Sequence, residues 1–271
     1  MQKFGYHTHT NFSDGKNTIE EMAGQAVCLG FQQIGISDHL IVHKNITQSP
    51  SWEWIKDNAC FSSFGEAVDL CNKHAQNIRR AGKNLGIKTL VGYEVDYFTY
   101  NGWEDEFKNF LKKIDYDYLI SGNHFFASAD GEQVFDIWCF NPQKAPENET
   151  VYLKRHFEMM RQAVESTLFS FLAHLDYAQK NPSYKEEDYI KEIEGVLCAL
   201  KETNTGCEIS TKGIRKFGHT YPSENILRNL IKQNTPIVIS DDAHQTSELG
   251  TYFEDAEKIL KDLNCKNRFK L

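Results

Sequence analysis

The sequence predicts an α/β fold in which a parallel sheet closes, or nearly closes, into a barrel of seven strands. Three observations lead there. Short β-type runs alternate with amphipathic helical stretches along the 271 residues. No repeat, composition break or Pro/Gly-rich linker divides the chain, so residues 1–271 read as one domain long enough to bury a core. Histidine and carboxylate side chains recur at or just after the C-terminal ends of the β-type runs.

In chain order, strand 4–8 precedes helix 19–30, strand 33–37 precedes helix 64–85, strand 88–94 precedes helix 103–113, and strand 116–121 precedes helix 150–166. Strand 168–173 then leads to helix 185–202, strand 206–210 to helix 222–233, and strand 236–240 to helix 253–262. Each strand is followed by a helix, and strict alternation implies right-handed crossovers and a parallel sheet. An open doubly wound sheet would gather polar groups only around its switch point, whereas all seven strand ends carry them here. Two longer connections, near 40–62 and 126–149, carry Trp52, Trp54, Phe61, Phe125, Phe126, Trp138 and Phe140. At a barrel mouth such aromatics either cover the substrate or pack the loops onto the rim.

Apolar residues make up 40% and charged residues 25%, ordinary globular usage that argues against disorder. The net charge of −8 leaves no broad basic surface for phosphates, so no nucleic-acid partner is expected. The N-terminal MQKFGYHTHT has neither the basic nor the apolar region of a signal peptide, and no apolar run approaches a membrane span. A cytoplasmic protein without membrane contact is expected. The seven cysteines are odd in number and form no C-x-x-C pair, which fits reduced thiols rather than a disulfide framework or a zinc ribbon. The sequons at Asn45 and Asn148 then carry no glycan.

His7 and His9 stand two residues apart on the first strand, so both side chains face inward and can chelate one ion. A lone H-x-H is weak evidence, because strand histidines more often serve packing. Asp242 and His244 repeat the spacing at the last strand, and His39, Glu94, His124 and His174 occupy other strand ends, which makes coincidence much less credible. Imidazole with carboxylate and no thiolate suits Zn, Mn or Fe in a hydrolytic site. So many donors exceed the needs of one ion, and two or three divalent ions are expected. Glu94, the only strand-end Glu near the middle of the set, is the best bridging carboxylate. Two ions roughly 3.5–4 Å apart would acidify a shared water and clamp an in-line phosphoryl displacement. A phosphatase or phosphodiesterase follows, with catalytic roles for Glu94, Asp242 and His244.

HTHT-x3-DG (His7 to Gly15), SDH (Ser37 to His39), the strand ending in Glu94, SGNH (Ser121 to His124), AHLD (Ala173 to Asp176), EISTKG (Glu208 to Gly213) and SDDAH (Ser240 to His244) stand in this order. Together they resemble the polymerase and histidinol phosphatase (PHP) family, from residue 7 to about 250. Within it the chain looks most like the stand-alone histidinol-phosphate phosphatase branch, through its size and the run EISTKGIRK followed by TYPS and SDDAH. The resemblance implies a distorted seven-stranded, TIM-like (β/α) barrel, the PHP fold, with a trinuclear site. By that analogy His7, His9, Glu94 and Asp242 hold a first ion, Glu94, His124 and His174 a second, and Asp14, His39 and His244 a third. Asp14 has a rival reading as a cap of the helix beginning near Thr18. The implied reaction is hydrolysis of the small phosphomonoester L-histidinol phosphate to L-histidinol and phosphate, in histidine biosynthesis. Ser210 departs from the Asn often found at its position in family phosphatases, which bears on substrate identity rather than metal binding.

A phosphomonoesterase also needs cations on the non-transferring oxygens. Lys180, Arg215 and Lys216 are the substrate-binding candidates, with Lys212 and His219 as weaker ones. Taken singly, each reads more readily as a solvated surface charge. Asp176, Asp38 and Asp241 are expected to orient ligating imidazoles from behind. His43, His74 and His156 are left out of the site, the latter two because they fall in helices. A PHP-type nucleotide phosphoesterase or nuclease is the rival on the same site, and a non-catalytic metal-bound scaffold module is the rival of another class.

Overall fold

The computed structural model describes residues 2–56, 59–137 and 148–271, the side chain of Trp54 excepted, so the expectations for Trp54, Trp138 and Phe140 lie outside the described residues. In chain order the elements are β1 (Phe4–Gly5), α1 (Ile19–Cys28), β2 (Gln33–Ile36), β3 (His39–Val42), α2 (Trp52–Ile55), β4 (Cys60–Phe61), α3 (Phe64–Leu85), β5 (Lys88–Val95), α4 (Trp103–Leu111) and β6 (Tyr118–Ser121). There follow β7 (Phe125–Ala127), β8 (Val134–Asp136), α5 (Glu149–Glu165), β9 (Phe171–Leu172), α6 (Ile190–Thr203), β10 (Gly206–Ser210), α7 (Lys212–Phe217), α8 (Glu224–Lys232), β11 (Ile237–Ser240) and α9 (Phe253–Asp262).

Local chemistry sets the helix limits. Thr18 and Glu21 close a reciprocal capping box on α1, and Asn148 accepts from Val151 N at the start of α5. Gly86, at φ 69°, ends α3 in the left-handed region that costs glycine nothing. The buried face of α3 runs Phe64, Ala67, Cys71, His74, Ala75, Ile78 and Ala81, the three-to-four spacing of a helix lying on a sheet.

The sheet order β1-β2-β5-β6-β9-β10-β11 follows the chain, and every neighbouring pair along it is parallel. These are the seven predicted strands in a nearly closed barrel. Beyond their ends, Thr8 and Ala243 form a parallel bridge, with His9 N donating to Ala243 O at 2.8 Å. Lower down the side-chain amide of Gln2 replaces a strand, donating to Ile239 O at 2.7 Å and accepting from Ile239 N at 3.4 Å. The first and last strands thus meet through one bridge and one side chain rather than a full ladder, and that is where the barrel is distorted.

Two expectations need correction. The connection 40–62 is not plain loop: β3 pairs parallel with β4 and with β5, so β2 is followed by a strand rather than by a helix. The connection 126–149 likewise begins as an antiparallel hairpin of β7 and β8. Helix α7 was not expected, since its single stretch TKGIRKFG is short and glycine-bounded.

Period two along β5 turns Leu90, Gly92 and Glu94 to one face. Beneath Glu94 that face packs a barrel floor of Tyr6, Leu90, Tyr118, Ile120, Phe171 and Val238. Gly35 and Gly92 leave room for the Tyr118 ring, since a Cβ would lie 2.1 and 2.3 Å from its atoms. The larger apolar core lies between the sheet and its helices. His156 of α5 is buried there, and neither ring nitrogen has a hydrogen-bond partner among the described residues. Burial lowers its pKa from 6.5 to about 3. An unfolded chain therefore takes up this proton first on acidification, so the stability it contributes is complete above about 6.5 and is lost as pH falls toward 3. His156→Leu should lose less stability than the wild type between pH 7 and 5, by about 2 kcal/mol in denaturant titrations, and parallel profiles would refute this.

Candidate metal centre

Six strands deliver their donors to one mouth. His7 and His9 follow β1, His39 opens β3, Glu94 lies near the end of β5, His124 follows β6, His174 follows β9, and Asp242 and His244 follow β11. Asp242 stands in the left-handed region at φ 48°, and so does Asn123, before His124, at φ 53°. Such conformations cost a non-glycine residue about 1–2 kcal/mol. At Asp242 the turn is braced by Arg215, whose guanidinium donates to the carbonyls of Asp241 at 3.1 Å and Asp242 at 3.4 Å.

Glu94 is the hub. Its Oε1 lies 3.2 Å from His7 Nε2, 3.0 Å from His174 Nε2 and 3.6 Å from His124 Nε2; its Oε2 lies 3.3 Å from His9 Nε2 and 3.0 Å from His39 Nδ1. Gly122 makes room for this carboxylate, because a Cβ there would approach its Oε1 to 2.5 Å. Asp242 Oδ1 lies 3.3 Å from both His9 Nε2 and His244 Nδ1 and 3.7 Å from His7 Nε2. Asp14 reaches His244 Nε2 at 3.1 Å and His39 Nε2 at 3.5 Å. The helix-cap alternative for Asp14 is answered by Thr18, which caps α1 itself.

Most of these donors are fully buried, yet His7 Nε2, both ring nitrogens of His9, His39 Nδ1, Glu94 Oε2 and Asp242 Oδ1 have no hydrogen-bond partner among the described residues. Buried polar atoms left so cost about 1–3 kcal/mol each. Convergent orphaned lone pairs are what divalent ions would satisfy, and donor atoms within 4.8 Å of one another form the groups His7/His9/Glu94, His7/His174/Asp242, His39/Glu94/His124 and His9/Asp14/His39/His244. The residues present fit such ions. Without them the charge is extreme: although burial opposes it, the surrounding imidazoles hold Glu94 well below the usual carboxylate range. Burial would likewise lower His7, but Glu94, Glu208 and Asp242 hold it well above an ordinary imidazole.

The groups behind the donors differ from expectation. Glu208 is the main one: it accepts from His7 Nδ1 at 2.8 Å, His174 N at 2.9 Å and Ser240 Oγ at 2.6 Å. Its first bond fixes the His7 tautomer with Nε2 facing Glu94. Asp96 stands 3.5 Å from His124 Nδ1 and accepts from Phe125 N. Asp176, by contrast, accepts from Ser223 N and Gln179 Nε2 and orients no imidazole. Asp241 accepts from Gly250 N, and Asp38 binds the loop bearing Asp14.

Above the centre opens a cavity of about 600 Å³. Asp14, His39, His124 and His244 form its floor; Ile41, Ile55, Phe125 and Phe217 give it an apolar wall; Lys180, Lys212, Tyr177 and Gln179 complete it. Lys180 donates to the Tyr177 hydroxyl and sits 3.9 Å from its ring centroid. Lys212 pairs with Asp242 Oδ2 at 2.7 Å. Arg215 and Lys216 are not among the lining residues: the first is spent on the 241–242 backbone, Thr251 and Glu248, and the second is exposed. Of the loop aromatics, Phe125 lines the cavity while Phe61 and Phe126 pack in the core.

A seven-stranded TIM-like α/β barrel with nine imidazole and carboxylate side chains gathered at one mouth defines a domain suited to divalent ions. The PHP domain family matches residues 5–212, and the chain belongs to that family. A Deinococcus radiodurans protein described as "Probable histidinol-phosphatase" is 27% identical over 179 residues, or 64% of this chain and 64% of its own length. A Thermotoga maritima protein of the same description is 26% identical over 95% of this chain and 91% of its own. The crystal structure of histidinol phosphate phosphatase from Lactococcus lactis, complexed with Zn, L-histidinol and phosphate, matches with a TM-score of 0.74 at 17% identity, covering 98% of this chain and 95% of that one. No helix among the described residues is long and apolar enough to cross a membrane.

Proposed function

We propose that the protein is a metal-dependent phosphomonoester hydrolase that converts histidinol phosphate to histidinol and phosphate in the cytoplasm. The observation that carries the reading is Glu94 standing within 3.6 Å of five imidazoles beneath an open cavity. The descriptions of the relatives supply the substrate. His7, His9, Glu94 and Asp242 would hold one ion, Glu94, His124 and His174 a second, and Asp14, His39 and His244 a third, with Zn, Mn or Fe suited to these donors. Bound ions would supply positive charge against the phosphoryl oxygens and acidify the attacking water.

The chain's own groups do the rest. Lys180 and Lys212 both line the cavity and can grip the non-transferring oxygens. Ile41, Ile55 and Phe125 shelter the organic part of the ester and thin out water around the reacting bond. Glu208 keeps the His7 imidazole oriented throughout. Lys180→Met should lower kcat/KM by roughly 10- to 100-fold with metal content unchanged, and undiminished kcat/KM would remove Lys180 from phosphate binding.

The test of the reading is kcat/KM for histidinol phosphate against a panel of mononucleotides, nucleoside bisphosphates and oligonucleotides, with metal content measured on the same sample. A preference for histidinol phosphate of roughly 100-fold or more is expected. Preference for a nucleotide would move the protein to the nucleotide phosphoesterase reading, and no hydrolysis by a metal-loaded sample would leave a non-catalytic module.

A further inference from the structure

His74 belongs to helix α3 and lies outside every donor group of the metal centre. It is nonetheless buried against the segment that presents Asp14. Its Nε2 lies 2.9 Å from Asp38 Oδ2, and its ring stacks on Phe12 with centroids 3.9 Å apart and planes 16° apart. Asp38 in turn gathers the start of the same loop: it accepts from Thr10 N at 2.6 Å, Ser13 Oγ at 2.6 Å and Thr10 Oγ1 at 2.7 Å. The loop also folds tightly on itself, with Gly15 N donating to Thr10 O at 2.9 Å and no room at Gly15 for a Cβ, which would meet the His9 backbone at 2.6 Å.

Three of the four donors in the group that this loop completes are the accessible ones, His9 being fully buried. The side chains of Asp14, His244 and His39 are 29%, 19% and 10% exposed, against 0–2% for His7, Glu94, His174 and Asp242. Of the inner donors, Glu94 is part of β5, and His7, His174 and Asp242 each stand two residues beyond a strand end. Asp14 stands nine residues beyond β1, on a loop that rests on Phe12 and Asp38, both of which touch His74.

We infer that His74 is a positioning residue for Asp14, acting through Asp38 and Phe12, and that it governs occupancy of the outer ion alone. The inference rests on the reading of these side chains as metal donors. A helix residue some way from the ions would then control how readily the exposed one exchanges, while the inner ions stay put. Groups that support ligands in this way typically change metal affinity by about 10- to 100-fold.

The experiment is a calorimetric titration of the metal-stripped full chain with Mn or Zn, alongside metal counts after dialysis. It compares wild type, Asp14→Asn, His74→Phe and His74→Gln. Asp14→Asn marks which binding phase belongs to the outer ion. His74→Phe keeps the stacking surface but removes the nitrogen facing Asp38; it should weaken that phase by roughly 10- to 100-fold, leave the tighter phases unchanged, and regain kcat at excess metal. His74→Gln, which can still present a donor to Asp38, should recover part of the loss. Ser13→Ala, which removes one of the loop's bonds to Asp38 and a 3.5 Å contact with Asp14 itself, should shift the same phase and marks the loop end of the relay, while His74→Gln decides the role of His74 if His74→Phe does not fold. An Asp14-sensitive phase that neither His74→Phe nor His74→Gln moves would overturn the role of His74 while leaving the centre intact. Equal weakening of all phases would overturn it too. A wild type that binds no divalent ion would overturn both this inference and the reading beneath it.

Discussion

Replacing Glu94 by Gln is expected to abolish turnover, by roughly 10³-fold or more in kcat, and to remove at least one ion per chain. The substitution keeps size and shape, so the effect comes from charge and lone pairs. Glu94 meets His7, His124 and His174 with one oxygen and His9 and His39 with the other. An amide keeps only one of those two acceptors and aims an N–H pair at the rest. Glu94 is fully buried, in space that Gly122 leaves open for its carboxylate. Steady-state kinetics and metal analysis on the same preparation test this. A Glu94→Gln protein with full activity, or with full metal content and low activity, would separate Glu94 from metal binding.

Chelation is expected to have the second large effect, on activity and stability together. Stripping the ions should silence turnover, and Mn or Zn should restore it. Each ion held at 1,000 times its Kd stabilises the fold by about 4 kcal/mol. For a domain of this length that corresponds to a Tm drop of about 10 °C or more on stripping. The stripped chain retains buried carboxylates facing buried imidazoles, with orphaned atoms at His7, His9, His39, Glu94 and Asp242. A stripped protein with unchanged Tm and full activity would contradict the account.

Much of this was legible in the sequence because barrels put strand ends in one place. His7, His124, His174 and Asp242 are far apart in the chain, yet each closes a recognisable β-run, and parallel pairing in chain order does the rest. Strands β3 and β4 were not legible, since HLIV and CF are too short to show a period and become strands only by pairing with each other and with β5. The roles of supporting groups were harder still. Asp176 follows His174 by two residues and invited an orienting role, but the chain turns its carboxylate toward Ser223. Glu208 does that work from the neighbouring strand β10. Arg215 sits in a βα connection, where mouth-facing cations are common, but its guanidinium reaches behind Asp242 to backbone carbonyls. His74 has the periodicity of a core residue and is one; only the fold brings Asp38 and Phe12 to it. Side-chain direction depends on neighbours that a linear pattern does not contain.

The most direct test is anomalous diffraction from crystals of the protein loaded with Mn or Zn, collected on both sides of the metal edge. Ions are expected beside both oxygens of Glu94, about 2.0–2.3 Å from the surrounding imidazole and carboxylate donors. Loaded crystals with no anomalous peak at that mouth, or with peaks only elsewhere on the molecule, would contradict the account.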